Sequence, residues 1–252
     1  MILQAINLSK QVNMTHMPPQ VILKQINLSI DQGEFVAIMG ASGSGKSTLL
    51  YTLSGMSQPT DGTVTFAGQV LDQLNDTQLT QLRCHKMGLV FQQPNLLSHF
   101  NLRDNVILSA YLEKTDTRKS IDARADRLMK QTGVYDLGSK DIGQASGGQL
   151  QRVAICRALI NQPDILFADE PTGALNATAA GEVMTLFNDV NRSGTTIVLV
   201  THDSRVAAQA ERILYMSDGT IISEKKLDKL TDPKTIKTRE NAVNQWLNQL
   251  GF

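Results

Sequence analysis

The chain has 252 residues, equal numbers of basic and acidic side chains (24 of each) and 41% hydrophobic residues, the composition of an ordinary globular protein. The zero net charge argues against nucleic-acid binding, which draws its affinity from a basic face. Two cysteines are too few for a disulfide framework, no apolar run approaches the roughly 20 residues that cross a bilayer, and the amino terminus shows no secretory signal. We therefore expect a reducing compartment, no nucleic acid among the partners, and membrane contact only through another chain.

Three segments near the amino terminus have the pattern of strands joined by turn residues: residues 2–8, 21–30 and 63–66. They predict an antiparallel β layer. Through most of the remaining sequence, short apolar runs alternate with longer helical patterns, which is typical of a largely parallel sheet covered by helices. The predicted fold class is α/β, with a parallel core and a flanking antiparallel layer.

A glycine-rich loop follows the apolar run at residues 35–39. From residue 40 to residue 47 it reads Gly-Ala-Ser-Gly-Ser-Gly-Lys-Ser, and a helix-compatible run starts at Thr48. The loop matches the pattern G-x-x-x-x-G-K-[ST] between a strand and a helix, the context that the pattern requires. It predicts a P-loop, RecA-like nucleotide-binding core; the simpler alternative is a Gly/Ser-rich turn without a ligand.

Each residue type in this loop has a chemical reason. The glycines let the main chain curl so that successive N–H groups point at phosphates, and the helix that starts near Lys46 adds the positive end of its dipole. Lys46 supplies a charge for the β- and γ-phosphates, and the Ser47 hydroxyl is an expected Mg²⁺ ligand. The predicted phosphate-binding residues are Gly40, Ser42, Gly43, Ser44, Gly45, Lys46, Ser47 and Thr48.

Strand signals fade between residue 102 and about residue 159, which predicts an inserted helical subdomain with bounds of about 93–160. A buried strand returns at residues 165–168 and is followed by Asp169 and Glu170. An acidic residue at such a strand end can hold the metal, and the next carboxylate can orient or deprotonate an attacking water. Together with the lysine loop, this pair predicts nucleotide hydrolysis.

The last part of the sequence predicts one more core strand, a hairpin and a helix. Residues 196–200 are apolar, and residues 213–222 form a hairpin pattern around an Asp-Gly turn. From Ile236 to Leu250, apolar residues recur at three- and four-residue spacing, which predicts an amphipathic helix carrying the only tryptophan. Packing of this helix on the core is a simpler interpretation than a dedicated partner contact.

Several further segments carry a family resemblance. Ala145-Ser146-Gly147-Gly148-Gln149 resembles the signature motif of ATP-binding-cassette (ABC) ATPases and lies shortly before the Asp-Glu strand. Gln92 matches the Q-loop, residues 173–176 match the D-loop, and His202 matches the switch histidine. The motifs follow the family order over most of the chain, so the protein is identified as a member of this family. A kinase or a GTPase with a P-loop does not explain the signature segment.

The resemblance implies how ATP and Mg²⁺ are bound. Lys46 and the amides of residues 43–48 would hold the phosphates, and Ser47, Gln92 and Asp169 would organise Mg²⁺. ATP and Mg²⁺ are therefore the expected cofactors.

The resemblance also implies a catalytic pair and a dimer. Glu170 would be the catalytic carboxylate, and His202 would contact the γ-phosphate and help to position the water. Two copies would associate head to tail, so that the signature residues of one copy bind the nucleotide held by the loop of the other. Taken alone, this segment is more often a loop or a helix cap. The predicted signature residues at the nucleotide are Ser146, Gly147, Gly148 and Gln149.

Two positions depart from the family pattern. Family members usually stack an aromatic side chain on adenine, but residues 12–19 contain none, so the base would rest on Met14, His16 or an aliphatic side chain. The loss of stacking would be about 1–3 kcal/mol, which predicts modest nucleotide affinity. Asn176 stands where the D-loop commonly has Asp, and its amide keeps hydrogen-bonding capacity without the charge.

Residues 169–175 and 91–97 resemble the branch that contains macrolide-efflux, lipoprotein-releasing and bacitracin-resistance transporters, and residues 246–252 are similar to the bacitracin-resistance type. The resemblance implies a cassette at residues 1–225 and a carboxy-terminal tail at residues 226–252. The chain would hydrolyse ATP to power a membrane permease in antimicrobial peptide resistance or efflux. It would be cytoplasmic and held at the inner face of the membrane by the permease.

The permease contact is predicted beside the Q-loop. Leu96, Leu97 and Phe100 either line a groove for a permease helix or belong to the core. Three alternative functions stay open: a lipoprotein-releasing ATPase, a cell-division ABC protein, and a soluble ABC ATPase that acts on DNA or ribosomes. The last is disfavoured because residues 47–169 contain no sustained heptads and the chain holds one cassette.

Overall fold

The computed structural model describes residues 1–12, 18–113 and 116–251. The chain divides into two compact units, the first made of Met1–Leu79 with Thr196–Phe252 and the second of Thr80–Thr195. The strands of the described residues are β1 (Leu3–Val12), β2 (Gln20–Ile30), β3 (Phe35–Gly40), β4 (Asp61–Phe66), β5 (Gln69–Val70), β6 (Met87–Val90), β7 (Ile165–Asp169), β8 (Thr196–Val200), β9 (Arg212–Ser217) and β10 (Thr220–Lys226). The α-helices are α1 (Lys46–Leu53), α2 (Asp76–Lys86), α3 (Leu102–Glu113), α4 (Arg118–Gln131), α5 (Gly147–Leu159), α6 (Ala177–Arg192), α7 (Ser204–Ala207) and α8 (Ile236–Gln249).

The first unit contains the predicted antiparallel layer. Its strands lie in the order β2-β1-β4-β5, and Leu3 of the central strand pairs with Ile30 on one side and Phe66 on the other. One face of this sheet is buried through Leu8, Leu23 and Phe66, all fully inaccessible to solvent. Alternation along the strands therefore gives the layer one core face and one solvated face.

The first unit also contains the strand that leads into the glycine-rich loop. β3 pairs in parallel with β8 on one side and with β9 on the other, and β9 continues into β10 through the Asp218-Gly219 turn. All six residues of β3 are buried, as expected for a central strand of a parallel sheet. The loop after β3 is thus mounted on a rigid part of the fold.

The second unit combines a parallel strand pair with a helical cluster. β6 and β7 are aligned from Met87 opposite Ile165 to Val90 opposite Ala168. Helices α3, α4 and α5 share a closed apolar core that includes Val106, Met129 and Val153. These helices lie within the sequence range predicted to be helical, while the bounds 93–160 of a separate subdomain stay a prediction.

The carboxy-terminal helix α8 packs against other elements of the first unit, as its amphipathic pattern predicts. Val243 is fully buried, and the Trp246 ring meets Tyr215 edge-on, with centroids 6.2 Å apart. Arg239 donates hydrogen bonds to the carbonyl oxygens of Ala208 and Ala210 at 2.6 and 2.7 Å, just after α7. Packing within the unit therefore accounts for the regular spacing of apolar residues along this helix without a partner contact.

The sequence patterns did not predict α2 or β6. In α2 only Leu79 is buried, so the helix has almost no apolar periodicity to detect. β6 has four residues and lies directly after α2, which leaves no turn residues to separate the two. Across the part of the chain that the structure describes, no helix combines the length and apolarity needed to span a membrane.

Candidate functional site

The glycine-rich loop adopts main-chain conformations that favour glycine. Gly43 and Gly45 have φ angles of 81° and 100°, in the left-handed region. A Cβ atom at Gly40 would lie 2.2 Å from the carbonyl oxygen of Met216 and 2.7 Å from the Ser44 hydroxyl oxygen. The glycines predicted from the pattern are thus required by backbone conformation or by close approach.

Lys46 lies inside this loop rather than in solvent. Its side chain is buried, and its ammonium group donates hydrogen bonds to the carbonyl oxygens of Gly40 and Ala41, both at 2.9 Å. A cation is therefore held over the curved main chain at the start of α1. This arrangement suits a polyanionic ligand, because loop amides, helix dipole and lysine are all electropositive.

Ser44 tests whether the loop fits a phosphate-containing ligand. Its hydroxyl oxygen is buried, and within the described residues it has no hydrogen-bond partner. Buried polar groups are almost always paired, and an unpaired one costs about 1–3 kcal/mol. A phosphate oxygen would be a suitable acceptor for this hydroxyl. The residues of the loop therefore fit the ligand that the sequence pattern predicts.

The remaining loop residues lie at the loop tip and on the first turn of α1. Ser42 is exposed, while Ser47 and Thr48 are half-buried. α1 begins at Lys46 with Gly45 as its N-cap, and no side chain of the described residues caps its first turn. A helix start without a side-chain cap suits an anion, because the main-chain N–H groups there point along the axis towards the ligand.

His202 belongs to the first unit and follows β8. It is exposed, and the residues on either side of it are fixed: the Asp203 N–H donates to the Thr201 hydroxyl at 3.0 Å. Asp203 in turn caps α7 by accepting from the Arg205 N–H at 2.7 Å. The histidine is therefore presented on a short, rigid connection between a strand and a helix.

The second unit holds the acidic strand end. Asp169 is the last residue of β7, all five residues of which are buried, and Glu170 follows with a φ angle of 46°. This left-handed conformation is unfavourable for a residue with a side chain, by roughly 1–2 kcal/mol. The Gly173 N–H stabilises the turn by donating to the Glu170 carbonyl oxygen at 3.0 Å. Backbone strain is thus stored at the predicted catalytic carboxylate.

Gln92 lies close to this turn. A Cβ atom at Gly173 would come within 3.1 Å of the Gln92 side-chain nitrogen and within 3.6 Å of the Glu170 Cβ. The side-chain amide of Gln92 and the segment after Glu170 therefore lie close together in the second unit. The sequence predicted both elements, and the structure brings them together.

The predicted metal ligands fit Mg²⁺ by their chemistry. Ser47, Gln92 and Asp169 offer a hydroxyl, an amide oxygen and a single carboxylate, all hard oxygen donors. The described residues contain no group of three or more His, Cys, Asp or Glu side chains suited to a metal. One carboxylate with neutral oxygens is how Mg²⁺ is commonly held when phosphates complete its shell.

The signature segment forms a helix cap. The Ser146 hydroxyl accepts from the Gln149 N–H at 3.4 Å, and the Ser146 N–H donates to the Gln149 side-chain oxygen at 2.8 Å. Because the hydroxyl is the acceptor in this pair, its own hydrogen can still be donated outward. A Cβ atom added at Gly147 would meet no neighbouring side chain or other element within 4 Å, so the helix tip is open at this residue.

Asn176 also serves as a helix cap. Its side-chain oxygen accepts from the Ala179 N–H at 2.9 Å at the start of α6. Asn and Asp are equally good N-caps, so the local fold is preserved without the carboxylate. Met14 and His16, the candidate adenine contacts, lie outside the described residues.

Asn105 of α3 shapes the Q-loop beyond Gln93 and was not predicted from the sequence. It is buried; its side chain accepts from the Leu97 N–H at 2.7 Å and donates to the carbonyls of Leu97, Phe100 and Asn101. The available signal was a single amide among the apolar residues of α3. The resulting loop leaves the Leu97 and Phe100 side chains 47% and 39% exposed, while Leu96 packs on the helical cluster.

The fold and the lysine-bearing loop define a P-loop nucleotide-binding domain. The family model described as ABC transporter matches residues 23–173. The lipoprotein-releasing system ATP-binding protein LolD of Aquifex aeolicus is 44% identical over 203 residues, which cover 81% of this chain and 90% of LolD. The chain therefore belongs to the ABC transporter family, as an ATPase domain of the MacB/LolD branch. This finding confirms the predicted family and branch.

Further relatives support the same assignment. The macrolide export ATP-binding/permease protein MacB of Pasteurella multocida is 44% identical over 203 residues, covering 81% of this chain and 31% of MacB. The chain thus spans about a third of the length of the macrolide-export relatives that it matches. The bacitracin-resistance type stays a prediction.

Solved structures confirm the predicted α/β fold. The ATP-binding cassette MJ0796, described as a dimer in a post-hydrolysis state with ADP and Pi, superposes with a TM-score of 0.85 at 38% identity, over 91% of this chain and all of that one. The protein cbiO1 of Clostridium perfringens, described as part of the ABC transporter complex cbiONQ, gives 0.79 at 30% identity, over 99% and 97% of the two chains. The expectation of an ATP-binding ATPase domain is confirmed.

Proposed function

We propose that this chain is the ATP-hydrolysing subunit of a membrane transporter, converting ATP and water to ADP and phosphate. The observation that carries the proposal is the loop after β3. It holds the buried ammonium group of Lys46, which donates to two loop carbonyls. It also holds the buried hydroxyl of Ser44, which has no hydrogen-bond partner among the described residues. Phosphate oxygens in the loop would accept a hydrogen bond from the hydroxyl, and their negative charge would attract the ammonium group.

The loop residues would bind the phosphates of ATP. Lys46 would exchange its bonds to the Gly40 and Ala41 carbonyls for the β- and γ-phosphate oxygens, and the Ser44 hydroxyl would donate to one of them. The N–H groups at the start of α1 would complete the set. The glycines serve this role by leaving space and by adopting the required φ angles.

Ser47, Gln92 and Asp169 would hold Mg²⁺ by their oxygen atoms. When bound, the ion would supply positive charge that offsets charge developing on the phosphates. Gln92 is suited to this role because its amide lies against the turn that carries Glu170. Its position therefore depends on the Q-loop main chain.

Glu170 would accept a proton from the attacking water, and His202 would donate a hydrogen bond to the γ-phosphate. A general base of this kind contributes about 10²–10⁴-fold in rate. The strained turn at Glu170 supports the role, since residues in sparsely populated conformations concentrate at functional sites.

We also propose a second copy of this chain as the partner that completes the nucleotide site. The tip of α5 offers the Ser146 hydroxyl hydrogen and the N–H groups of Gly147 and Gly148 to an anion. MJ0796, 38% identical, is described as a dimer with ADP and Pi. Head-to-tail association would place each α5 tip at the nucleotide of the other copy.

The permease contact and the transport role are proposed from the MacB/LolD branch of the family. A permease helix would dock on Leu97 and Phe100, which the Q-loop exposes, and would hold the chain at the cytoplasmic face of a membrane. Antimicrobial peptide or bacitracin resistance is the proposed role, and lipoprotein release or cell division are the alternatives. A neighbouring gene for a permease with a large extracytoplasmic domain, beside a two-component sensor pair, would favour peptide resistance.

The test of the activity is Glu170→Gln. Without its proton acceptor, the variant should lose at least about 100-fold in ATP hydrolysis while still binding ATP, so that an ATP-bound dimer accumulates on size-exclusion chromatography. Glu240→Gln, the same change in α8, is the control and should behave as the original chain. Normal hydrolysis by the Glu170 variant would show that another group accepts the proton.

A further inference from the structure

One helix reaches the Q-loop main chain on both sides of Gln92. The buried Gln151 of α5 donates its side-chain N–H to the Phe91 carbonyl oxygen at 2.9 Å. Further along the same helix, Arg157 donates to the carbonyl oxygens of Pro94 and Asn95 at 2.8 and 2.7 Å. The three bonds bracket Gln92 and Gln93 in sequence.

The Arg157 bonds hold a strained part of the loop. Asn95 has a φ angle of 48°, in the left-handed region, which a residue with a side chain adopts at an energetic cost. A guanidinium presents two parallel N–H groups in a fixed plane, which matches two consecutive carbonyls. A lysine ammonium, a single point charge, does not offer this fork.

Arg157 has unusual hydrogen-bond acceptors for a cationic side chain. Partial burial lowers its pKa, so keeping the guanidinium charged there costs the folded state free energy. Its two short hydrogen bonds go to neutral main-chain carbonyls rather than to a carboxylate. A partly buried charge directed at two loop carbonyls indicates that this residue fixes the conformation of the loop.

The other end of the same helix is the signature segment. α5 is capped by Ser146 and runs without interruption to Leu159, with Val153, Ala154 and Ile155 fully buried. A helix packed in this way moves as a rigid element. A displacement of its tip would therefore reach the carbonyls that flank Gln92.

We propose that Gln151 and Arg157 are positioning residues that set the place of Gln92 and couple the Q-loop to the signature segment through α5. The proposal rests on the function proposed for Gln92 above. It assigns a role to two side chains that are not among the residues predicted to bind nucleotide or metal. Without them, Gln92 would keep its chemistry and lose its fixed position.

The first test is Arg157→Met, with Arg157→Lys as the conservative variant and Arg127→Met, an exposed residue of α4, as the control. Hydrogen exchange of the full chain, without nucleotide, should speed up about tenfold at the amides of residues 92–97 in Arg157→Met, less in Arg157→Lys and not in the control. Unchanged exchange in this segment would overturn the proposal. If Arg157→Met does not fold, Gln151→Met, which removes one bond, takes its place.

The second test separates positioning from general stability. The Mg²⁺ concentration that half-saturates ATP hydrolysis should rise about tenfold in Arg157→Met, with a smaller change in the KM for ATP. In a Gln92→Ala background, the same substitution should add nothing further, because the two residues act through one interaction. An equal additional effect in that background would show that Arg157 acts elsewhere.

The two proposals fail in different ways. A chain that hydrolyses no ATP would contradict the proposed function, while the exchange measurement would still test the link between α5 and the loop. A chain that depends on Glu170 for hydrolysis, yet shows the same exchange and the same Mg²⁺ dependence in the Arg157 and Arg127 variants, would contradict only the positioning role.

Discussion

Two helix starts in this chain are predicted anion sites, and they are built in opposite ways. α1 begins after Gly45, which has a left-handed φ angle and no side chain to cap the first turn. α5 begins after Ser146, whose hydroxyl and main-chain N–H form a reciprocal capping box with Gln149. The first helix starts without a side-chain cap at the buried end of a loop, whereas the second caps itself at an exposed tip.

The difference separates a site that is closed from a site that is open. The loop before α1 would surround a phosphate with main chain, and it brings its own cation, Lys46. The tip of α5 has a capping box and a small, uncrowded surface at Gly147. The loop before α1 must adopt its conformation for the chain to fold. The tip of α5 is stable without a ligand, and we propose that it binds an anion only when a second molecule is present.

The largest expected effect is from Gly40→Ala in the closed site. The new Cβ would meet the Met216 carbonyl oxygen at 2.2 Å, a backbone atom that cannot move away by a rotamer change. We expect a loss of about 3 kcal/mol or more in the free energy of unfolding, measured by urea titration, and loss of ATP binding.

The control for this substitution is Gly68→Ala, in the turn between β4 and β5. Gly68 has a φ angle of 80°, and no described atom lies within 4 Å of the new Cβ, so the variant carries backbone strain without a clash. It should cost about 1–2 kcal/mol and leave ATP binding intact. Equal losses in both variants would mean that close approach at Gly40 does not shape the loop.

A smaller effect on folding, but a specific effect on assembly, is expected from Gly147→Ala in the open site. The new Cβ touches none of the described residues, and alanine is the better helix former by up to about 1 kcal/mol. Unfolding should therefore be unchanged or slightly harder. In the Glu170→Gln background, the ATP-bound dimer should weaken on size-exclusion chromatography, because the Cβ stands at the tip offered to the second nucleotide.

The matched variant is Gly143→Ala, just before the signature segment, which also has open space around the new Cβ. It should leave both unfolding and dimer formation unaltered. A Gly147 variant that dimerises as well as this control would indicate that the α5 tip does not face the partner's nucleotide.

The same contrast explains what could be predicted from the sequence. The loop at residues 40–47 and the pair Asp169-Glu170 were found because each is a contiguous run between elements with clear apolar patterns. The helix cap at Ser146 has the local spacing of a capping box and was also recognisable. In each case the physical constraint acts over a few consecutive residues.

The hydrogen bonds from α5 on either side of Gln92 were not predictable in this way. Gln151 and Arg157 bond to residues about 60 positions away in the sequence, and a polar residue on an otherwise apolar helix does not disclose its acceptor. The α2 helix was missed for a different reason, because a single buried leucine leaves no periodic signal. A single sequence therefore predicts the motifs that carry the chemistry, but not the long-range contacts that hold those motifs in position.

The smallest expected effect concerns the body of α5, behind its open tip. Cys156 is fully buried there, and burial raises the pKa of its thiol to about 12, although a contact with the Thr132 hydroxyl at 3.1 Å acts in the opposite direction. Thiolate is the reactive form, so alkylation of Cys156 at pH 8.5 should be very slow in the folded chain. In the variant Cys84→Ser, which leaves this thiol as the only one, labelling should accelerate only when urea unfolds the chain.

The raised pKa also fixes a pH dependence. The unfolded thiol ionises near pH 9 while the folded one stays neutral until about pH 12, so the stabilising contribution is complete below pH 9 and declines as the pH rises towards 12. The urea midpoint of the Cys84→Ser variant should therefore fall more steeply above pH 9 than that of the chain in which Cys156 is also replaced by Ala. Rapid native-state labelling, or identical pH profiles, would mean that α5 opens along its length and that its buried body is no better protected than its exposed tip.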